Sequence, residues 1–136
     1  MSNYEMSANT YESAVAEMLR VDGAMAAAVV DFESGMMLAG NGHGVDLEIA
    51  SAGKTELVRV NHKNMDTLGL KTELEDMLIT LGNQYHLIRP LVNELEGLFL
   101  LLLLDRNKSN LALARRSLKT IEQDMYKQSE IARAKK

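Results

Sequence analysis

Two segments of this chain are apolar at every position, and they restrict the folds that it can adopt. Residues 24–30 read AMAAAVV and residues 98–104 read LFLLLLL. A strand with one face in water alternates apolar and polar side chains, whereas a strand covered on both faces does not. We therefore predict two strands that lie side by side at the centre of a sheet, with helices covering both of its faces.

Helices are indicated by apolar residues that recur at intervals of three and four positions. The first is expected to begin at Asn9 or Thr10, whose side chains can accept bonds from the free N–H groups of a first turn. The second runs from residue 45 to about residue 66, with acidic residues in its first turn. The third follows a cap near Asn107 or Ser109.

The same periodicity sets the expected limits of the folded domain. Residues 1–9 are polar and are predicted to form a loose leader. The apolar spacing fades after Tyr126, so residues 127–136 are predicted to be a basic tail that frays. The chain then holds one domain over residues 10–126, which agrees with its length of 136 residues.

Further strands complete the predicted sheet at residues 36–39, 72–81 and 85–89. Gly82 and Asn83 tolerate positive φ and are expected to form the turn between the last two strands. Pro90 cannot donate to a ladder, so its strand should end or bulge there. The order helix, two strands, helix, three strands, helix is typical of an α+β fold with a mainly antiparallel sheet.

Residues 36–39 and 72–81 are expected toward the two edges of this sheet. The first half of the second segment carries Glu73, Glu75 and Asp76, which discourage pairing with another chain. Its second half, MLITL, has no such protection. We predict that a second copy extends the sheet there, with the long helices packing across the two-fold axis.

The long second helix carries a stripe that includes unusually small residues. Spacings of three and four positions place the members of this stripe on one face: Ile49, Gly53, Leu57, Val60 and Asn64. Glycine inside a helix costs about 1 kcal/mol relative to alanine. Gly53 therefore indicates close packing against a neighbour that needs the missing side chain.

Gly53, Lys54 and Thr55 match the end of a phosphate-binding P-loop, but the rest of that motif is absent. The motif needs a glycine five residues before the Gly-Lys pair, and Glu48 stands there. The triplet also lies inside a predicted helix rather than between a strand and a helix. A phosphate-ligand binder or enzyme built on this triplet therefore stays the least favoured alternative.

No set of residues in the sequence has the spacing of a metal site or a catalytic site. His43, His62 and His86 are expected on a loop, a helix and a strand, without a ligand at metal-binding spacing. The chain contains no cysteine, which excludes disulfides, thiolate metal sites and a cysteine nucleophile. We therefore predict that the protein is not an enzyme and needs no cofactor or metal.

Charge is distributed unevenly along the chain. Residues 106–136 hold nine Lys and Arg against three Asp and Glu, a net +6, whereas residues 1–105 hold six against sixteen, a net −10. This division would orient an encounter with a charged partner, although a solvated helix face with a frayed tail is the simpler explanation. Aromatic residues make up only 4% of the chain and none is Trp, which argues against a nucleic-acid surface.

The sequence also indicates where the protein resides. No apolar run approaches the roughly 20 residues of a membrane span. The N-terminus, MSNYEMSANTYE, has no positive segment of the kind that opens a secretory signal. The lack of cysteine fits a reducing compartment. We therefore predict a cytoplasmic protein with no integral membrane segment.

Over about residues 10–125 the whole pattern resembles the roadblock / dynein light chain family. The likeness rests on four segments: VDGAMAAAVVDFESGMMLA, EIASAGKTELVRV, MLITLGNQYHLI and GLFLLLLLD. It implies a profilin-like α/β/α sandwich that forms a homodimer, or a heterodimer with a family paralogue, through the long helices and the middle strands. Pro90 and the basic C-terminal segment are not features that the resemblance explains.

What the resemblance implies for function is a regulatory role. Members of the family typically scaffold or regulate Ras-like small GTPases, some by accelerating GTP hydrolysis, and others load cargo onto dynein. We therefore predict a non-catalytic, dimeric module that binds a small GTPase. The alternative is a structural adaptor or light chain of a motor or multiprotein complex that has no GTPase partner.

Candidate interface residues follow from this prediction. On the long helix they are Lys54, Leu57, Val58, Asn61 and Met65. Met77 and Ile79 are expected to take part in sheet pairing between copies. Arg59 is the candidate for an arginine supplied in trans to the GTPase.

Overall fold

The computed structural model describes residues 8–134, which form three α-helices and five β-strands in the predicted order. The elements are α1 (Ala8–Leu19), β1 (Ala24–Asp31), β2 (Met37–Gly42), α2 (Leu47–Thr67), β3 (Met77–Thr80), β4 (Gln84–Pro90), β5 (Leu98–Asp105) and α3 (Leu111–Ala134). A short 3-10 helix at Asn93–Leu95 lies between β4 and β5. Of the predicted leader, residues 1–7 lie outside the described residues.

The strands form one antiparallel sheet in the order β2-β1-β5-β4-β3. β1 and β5 are adjacent at its centre, with Val29 opposite Leu100, and Leu102 of β5 lies opposite Leu87 of β4. β2 and β3 form the edges. The predicted α+β fold and strand placement are confirmed. The two apolar runs occupy the centre because there a strand is covered on both faces.

Helices cover both faces of the sheet. α1 and α3 pack together on one face, where Met18 and Leu118 join a core that includes Leu100. α2 covers the other face, where Val58 packs with Phe99. Neighbouring residues of β5 thus enter different cores, as the alternation of side chains along a strand requires. The predicted profilin-like sandwich is confirmed.

Polar side chains set the starts of α2 and α3. Asp46 Oδ1 accepts two backbone N–H bonds of the first turn of α2, both at 3.1 Å. Asn110 caps α3 in the same way, at 3.2 Å. Asn107 and Ser109 were the expected caps, but they bond instead to Asp105, at 2.9 and 2.7 Å, and close the turn after β5.

The first helix begins earlier than the sequence predicts. Asn9 and Thr10, the expected caps, both lie within α1, which already includes Ala8. The residue before Ala8 lies outside the described residues. The periodic apolar residues of α1 begin only at Tyr11, so polar residues of the first turn leave no mark in the hydrophobic pattern.

The C-terminal segment is helical where the sequence predicts fraying. α3 continues to Ala134, and Ser129 is buried on it, with its Oγ donating to Tyr126 O at 2.8 Å. The structure therefore places residues 127–134 in α3, and the fraying of this segment stays a prediction. Its buried side continues with a serine rather than a large apolar residue, so the period fades before the helix ends. Residues 135–136 lie outside the described residues.

The edge strand β3 is shorter than predicted because residues 72–76 leave the sheet. Arg115 Nε donates to Asp76 Oδ2 at 3.0 Å. Lys119 Nζ pairs with Glu75 Oε1 at 3.1 Å. Both carboxylates therefore reach toward α3, and the sheet edge is formed by residues 77–80 alone.

The hairpin between β3 and β4 has the predicted turn. Leu81 N–H donates to Gln84 O at 2.8 Å, which leaves Gly82 and Asn83 as the two connecting residues. Neither adopts positive φ, although both residue types tolerate it. β4 ends at Pro90, as expected. Across residues 8–134, the helices are too short or too polar to cross a bilayer.

Candidate functional site

An apolar stripe lies on the outward face of α2. Its exposed fractions are 71% for Ile49, 44% for Leu57 and 64% for Val60. The opposite side of the helix, with Ser51 and Val58, is buried against the sheet. The stripe predicted from spacing therefore exists, but it faces away from the core of its own chain. Exposed apolar residues arranged in this way are typical of a surface that another protein covers.

Gly53 lies in the middle of this stripe. A Cβ atom built at Gly53 would meet no atom within 4 Å, so no packing contact among the described residues requires a glycine there. Any neighbour that its missing side chain admits would lie outside the described residues of this chain. This stripe, formed by Ile49, Gly53, Leu57, Val60 and Asn64, is called the α2 stripe below.

One flank of α2, adjoining the stripe, holds most of the predicted interface residues. At 100° per residue, Lys54, Leu57, Asn61 and Met65 fall within a quarter of the helix circumference. Asn61 Nδ2 lies 3.4 Å from Met65 Sδ. Burial lowers the pKa of Lys54. The charge of Lys54 in turn acts on His86 of β4, so this flank faces the β4 side of the sheet.

Two predicted residues on α2 are placed differently. Val58 is 1% exposed and belongs to the core between α2 and the sheet, so the prediction that it lies at an interface is wrong. Arg59 lies on the other flank, where it pairs with Glu56 and where its guanidinium stands 5.8 Å from the centre of the Phe32 ring. Arg59 Nη2 also donates to Glu33 O at 3.4 Å.

The β3 edge supplies the second part of the candidate surface. Met77 and Ile79 are half-buried beside the α2-side core. Along an antiparallel ladder, residue pairs joined by backbone hydrogen bonds alternate with pairs that are not so joined. The Leu81–Gln84 bond therefore leaves the N–H groups of Leu78 and Thr80 pointing away from β4. These groups, with the corresponding carbonyls, form an open edge.

The suspected phosphate triplet is part of a regular helix. Thr55 is buried and its Oγ1 donates to Ser51 O at 2.7 Å, so it is not available to a ligand. Lys54 and Gly53 continue the same helix. Within the described part of the chain, no group of His, Asp and Glu side chains could hold a metal ion.

A cavity that sequence reasoning missed lies under the C-terminal end of α2. It measures about 650 Å³ and lies between α2, residues 70–74 and residues 90–99. Acidic residues at its rim are Asp66, Glu73 and Glu96. A helix-ending glycine, Gly69, was visible in the sequence, but the loops that close the cavity come from distant parts of the chain.

Comparison with known proteins identifies the architecture. No family model matches the sequence, and no curated relative matches it. Solved structures do match. Myxococcus xanthus MglB shares 14% identity, with a TM-score of 0.81, over 97% of this chain and 96% of MglB. A Roadblock/LC7 domain from Streptomyces avermitilis shares 11% identity, with a TM-score of 0.73, over 85% and 93% of the two chains.

The chain has the roadblock fold. A third structure with this fold, MglB with a tetrameric arrangement, shares 18% identity, with a TM-score of 0.75, over 90% of this chain and 92% of that one. Together these matches confirm the family resemblance at the level of fold. In this roadblock fold the α2 stripe and the β3 edge are two of the surfaces that the described residues leave open.

Proposed function

We propose that this chain is a dimeric, non-catalytic module that binds a Ras-like small GTPase. The observation that carries the proposal is the outward α2 stripe on a roadblock fold. An apolar stripe 44% to 71% exposed at its large residues is costly for a chain that acts alone, and it is explained if another surface covers it. The absence of cysteine from the sequence agrees with the cytoplasmic location that such a partner requires.

The proposed dimer is symmetric and uses both parts of the surface. The β3 edges of two copies pair around a two-fold axis, so that Met77 and Ile79 of each lie at the seam. The α2 helices then approach each other, and Gly53 permits close contact of their backbones. Lys54, Leu57 and Asn61 lie on the flank that closes over the seam. The partner is a second copy of this chain or a paralogue of the same fold.

The paired α2 helices form the proposed platform for the GTPase. Stimulated hydrolysis would then come from positioning residues of the GTPase itself, because Arg59 is engaged with Glu56, Glu33 and Phe32 of its own chain. An arginine supplied in trans raises the rate of GTP hydrolysis by a factor of roughly 10³ to 10⁵. Replacing Arg59 with alanine should therefore leave any stimulation within about tenfold of the wild-type value.

The proposal is tested with full-length protein and Ras-like GTPases encoded beside its gene. Each GTPase is loaded with GDP or with a non-hydrolysable GTP analogue, and binding and hydrolysis rates are measured. We expect binding that depends on the nucleotide and that Leu57→Asp abolishes. The matched control is Leu113→Asp, because Leu113 is as exposed as Leu57, at 49%, but lies on α3. Binding that ignores the nucleotide, or survives Leu57→Asp, would contradict the proposal and favour a structural adaptor.

A further inference from the structure

The cavity under the C-terminal end of α2 shares only Met65 with the residues assigned to the proposed dimer interface. Its floor is formed by buried apolar residues, among them Leu98 and Phe99. Its walls carry Met65, Leu70 and Leu74, which are only partly buried or exposed. About 650 Å³ is large enough for several side chains of a polypeptide.

The wall on the α2 side is built by the way that the helix ends. Gly69 has φ +71° and its N–H donates to Asp66 O at 3.1 Å, while Leu70 N–H donates to Met65 O at 3.0 Å. These two bonds define a Schellman motif, which brings the residues at its ends together. Met65 and Leu70 thus form one apolar wall, held in place by the backbone.

The rim of the cavity is negative. Asp66, Glu73 and Glu96 contribute carboxylates, and no Lys or Arg occurs among its lining residues in the described part of the chain. The C-terminal end of a helix adds partial negative charge, and the last turn of α2 has no basic residue to offset it. A cationic group attached to an aliphatic one therefore fits the cavity better than a neutral or acidic group.

The same chain carries a matching feature at the end of α3. Ile131 is 47% exposed there, although it is a large aliphatic residue on the outward side of the helix. Lys127 lies one turn earlier on the same side. Lys135 follows four residues after Ile131 in the sequence, and residues 106–136 together have a net charge of +6. The end of α3 therefore presents the exposed aliphatic side chain of Ile131 within a basic segment.

We infer that the end of α3 from a second copy docks in this cavity. Ile131 of the incoming helix contacts Met65 and Leu70, and Lys127 approaches the rim carboxylates. The contact joins two different surfaces, so it is heterologous and can be made in addition to the symmetric dimer. The chain then assembles beyond a dimer, through a contact that depends on charge.

Analytical ultracentrifugation of full-length variants separates this contact from the proposed dimer. The wild type should form species larger than a dimer, and their fraction should fall as salt screens the charges. Ile131→Asp should stop at the dimer, whereas Leu57→Asp should keep the α3 contact. The double variant should be monomeric. Circular dichroism checks that each variant is folded. Large species that persist in folded Ile131→Asp would overturn the inference but leave the dimer proposal intact.

Charge exchange provides the second test. Glu73→Lys and Lys127→Glu should each lose the large species when alone, because each places like charges at the contact. Mixing the two variants should restore large species, since the introduced lysine of one copy can then face the introduced glutamate of the other. Arg116→Glu is the control, because Arg116 lies near the other end of α3. Failure of the mixture to assemble, or loss of assembly in the control, would overturn the inference.

Discussion

Among the described residues, two buried polar side-chain atoms have no hydrogen-bond partner: Ser51 Oγ and His86 Nδ1. Both lie between α2 and the sheet, near the flank that carries Lys54. The other ring nitrogen of His86 bonds to Gln84 Oε1 at 2.9 Å, so the ring is held in place. Burial lowers the pKa of His86, and the nearby Lys54 charge lowers it further. The folded protein therefore favours a neutral imidazole at this position.

This lowered pKa makes stability depend on pH. The unfolded chain takes up a proton on His86 near its ordinary pKa of 6.5, whereas the folded chain takes it up only at lower pH. Stability from the neutral ring is therefore present above that pH and is lost on acidification. We expect the free energy of unfolding in urea to fall between about pH 7.5 and about pH 5.5. His86→Gln should flatten this slope, and His43→Gln, at an exposed loop, should not. If the unfolding free energy of the wild type and of both variants has the same pH dependence, His86 is not the group responsible.

At the scale of elements, α3 is fixed to the sheet by ion pairs of different burial. Arg89 Nε donates to Glu122 Oε1 at 2.8 Å, and the two side chains are only 15% and 13% exposed. Glu122 Oε2 also accepts the N–H of Val92 at 3.4 Å. This contact joins the end of β4 and the loop beyond it to the middle of α3. Breaking it would leave a guanidinium charge buried without its carboxylate.

Glu122→Ala should therefore destabilise the chain strongly. Removing one partner of a buried pair typically costs about 3–5 kcal/mol, because the remaining charge is uncompensated. The matched control is Glu17→Ala, since Glu17 pairs with Arg20 on the surface of α1 at 3.5 Å and such pairs contribute less than about 1 kcal/mol. Urea unfolding at neutral pH measures both changes. Similar losses of unfolding free energy in the two variants would show that the buried pair stabilises the fold no more than a surface pair does.

The sequence predicted which strands are central but not where two elements end. Unbroken apolar runs have one stable place in a sheet, so β1 and β5 could be placed from local pattern alone. The limit of β3 depends on pairs between Asp76 and Arg115 and between Glu75 and Lys119, which are about 40 residues apart in the chain. Such distant partners leave no mark in a local pattern. For the same reason the cavity beneath α2 was not foreseen.

The sequence also could not predict which side of α2 faces the sheet, and this limits the prediction of the candidate site. Leu57 and Val58 are neighbours, and both are apolar enough for a core or an interface. Their spacing identified a stripe through Leu57 but could not decide whether that stripe meets the sheet or another chain. The structure buries Val58 and exposes Leu57, so the interface prediction is wrong for Val58, whereas for Leu57 and the flank of the helix it stays a prediction.

At the scale of the whole molecule, the sheet ends at a short strand that is open on one side. β3 pairs only with β4 within the described residues, and its outward N–H groups belong to Leu78 and Thr80. At the hairpin end, Arg106 Nη1 donates to Leu81 O at 2.7 Å. This bond lies on the side of the strand where Leu81 N–H bonds to Gln84, so it does not cover the outward edge. The outward edge of β3 is only four residues long, and the proposed dimer adds to it the α2 stripe on the helix that covers this face of the sheet. Sheet pairing and helix packing should therefore contribute together to the proposed dimer.

Proline at Thr80 tests this arrangement because it removes one outward N–H group without touching the ladder to β4. Edge positions with outward N–H groups tolerate proline, so Thr80→Pro should fold normally. Its dimer dissociation constant should rise by about tenfold or more, which corresponds to at least about 1.4 kcal/mol. Thr80→Ala keeps the N–H and should dimerise as the wild type does. Ile79→Pro removes an inward N–H and should instead disrupt the hairpin. If Thr80→Pro dimerises as tightly as Thr80→Ala in sedimentation experiments, the β3 edge is not part of the interface, and the α2 stripe alone must hold the copies together.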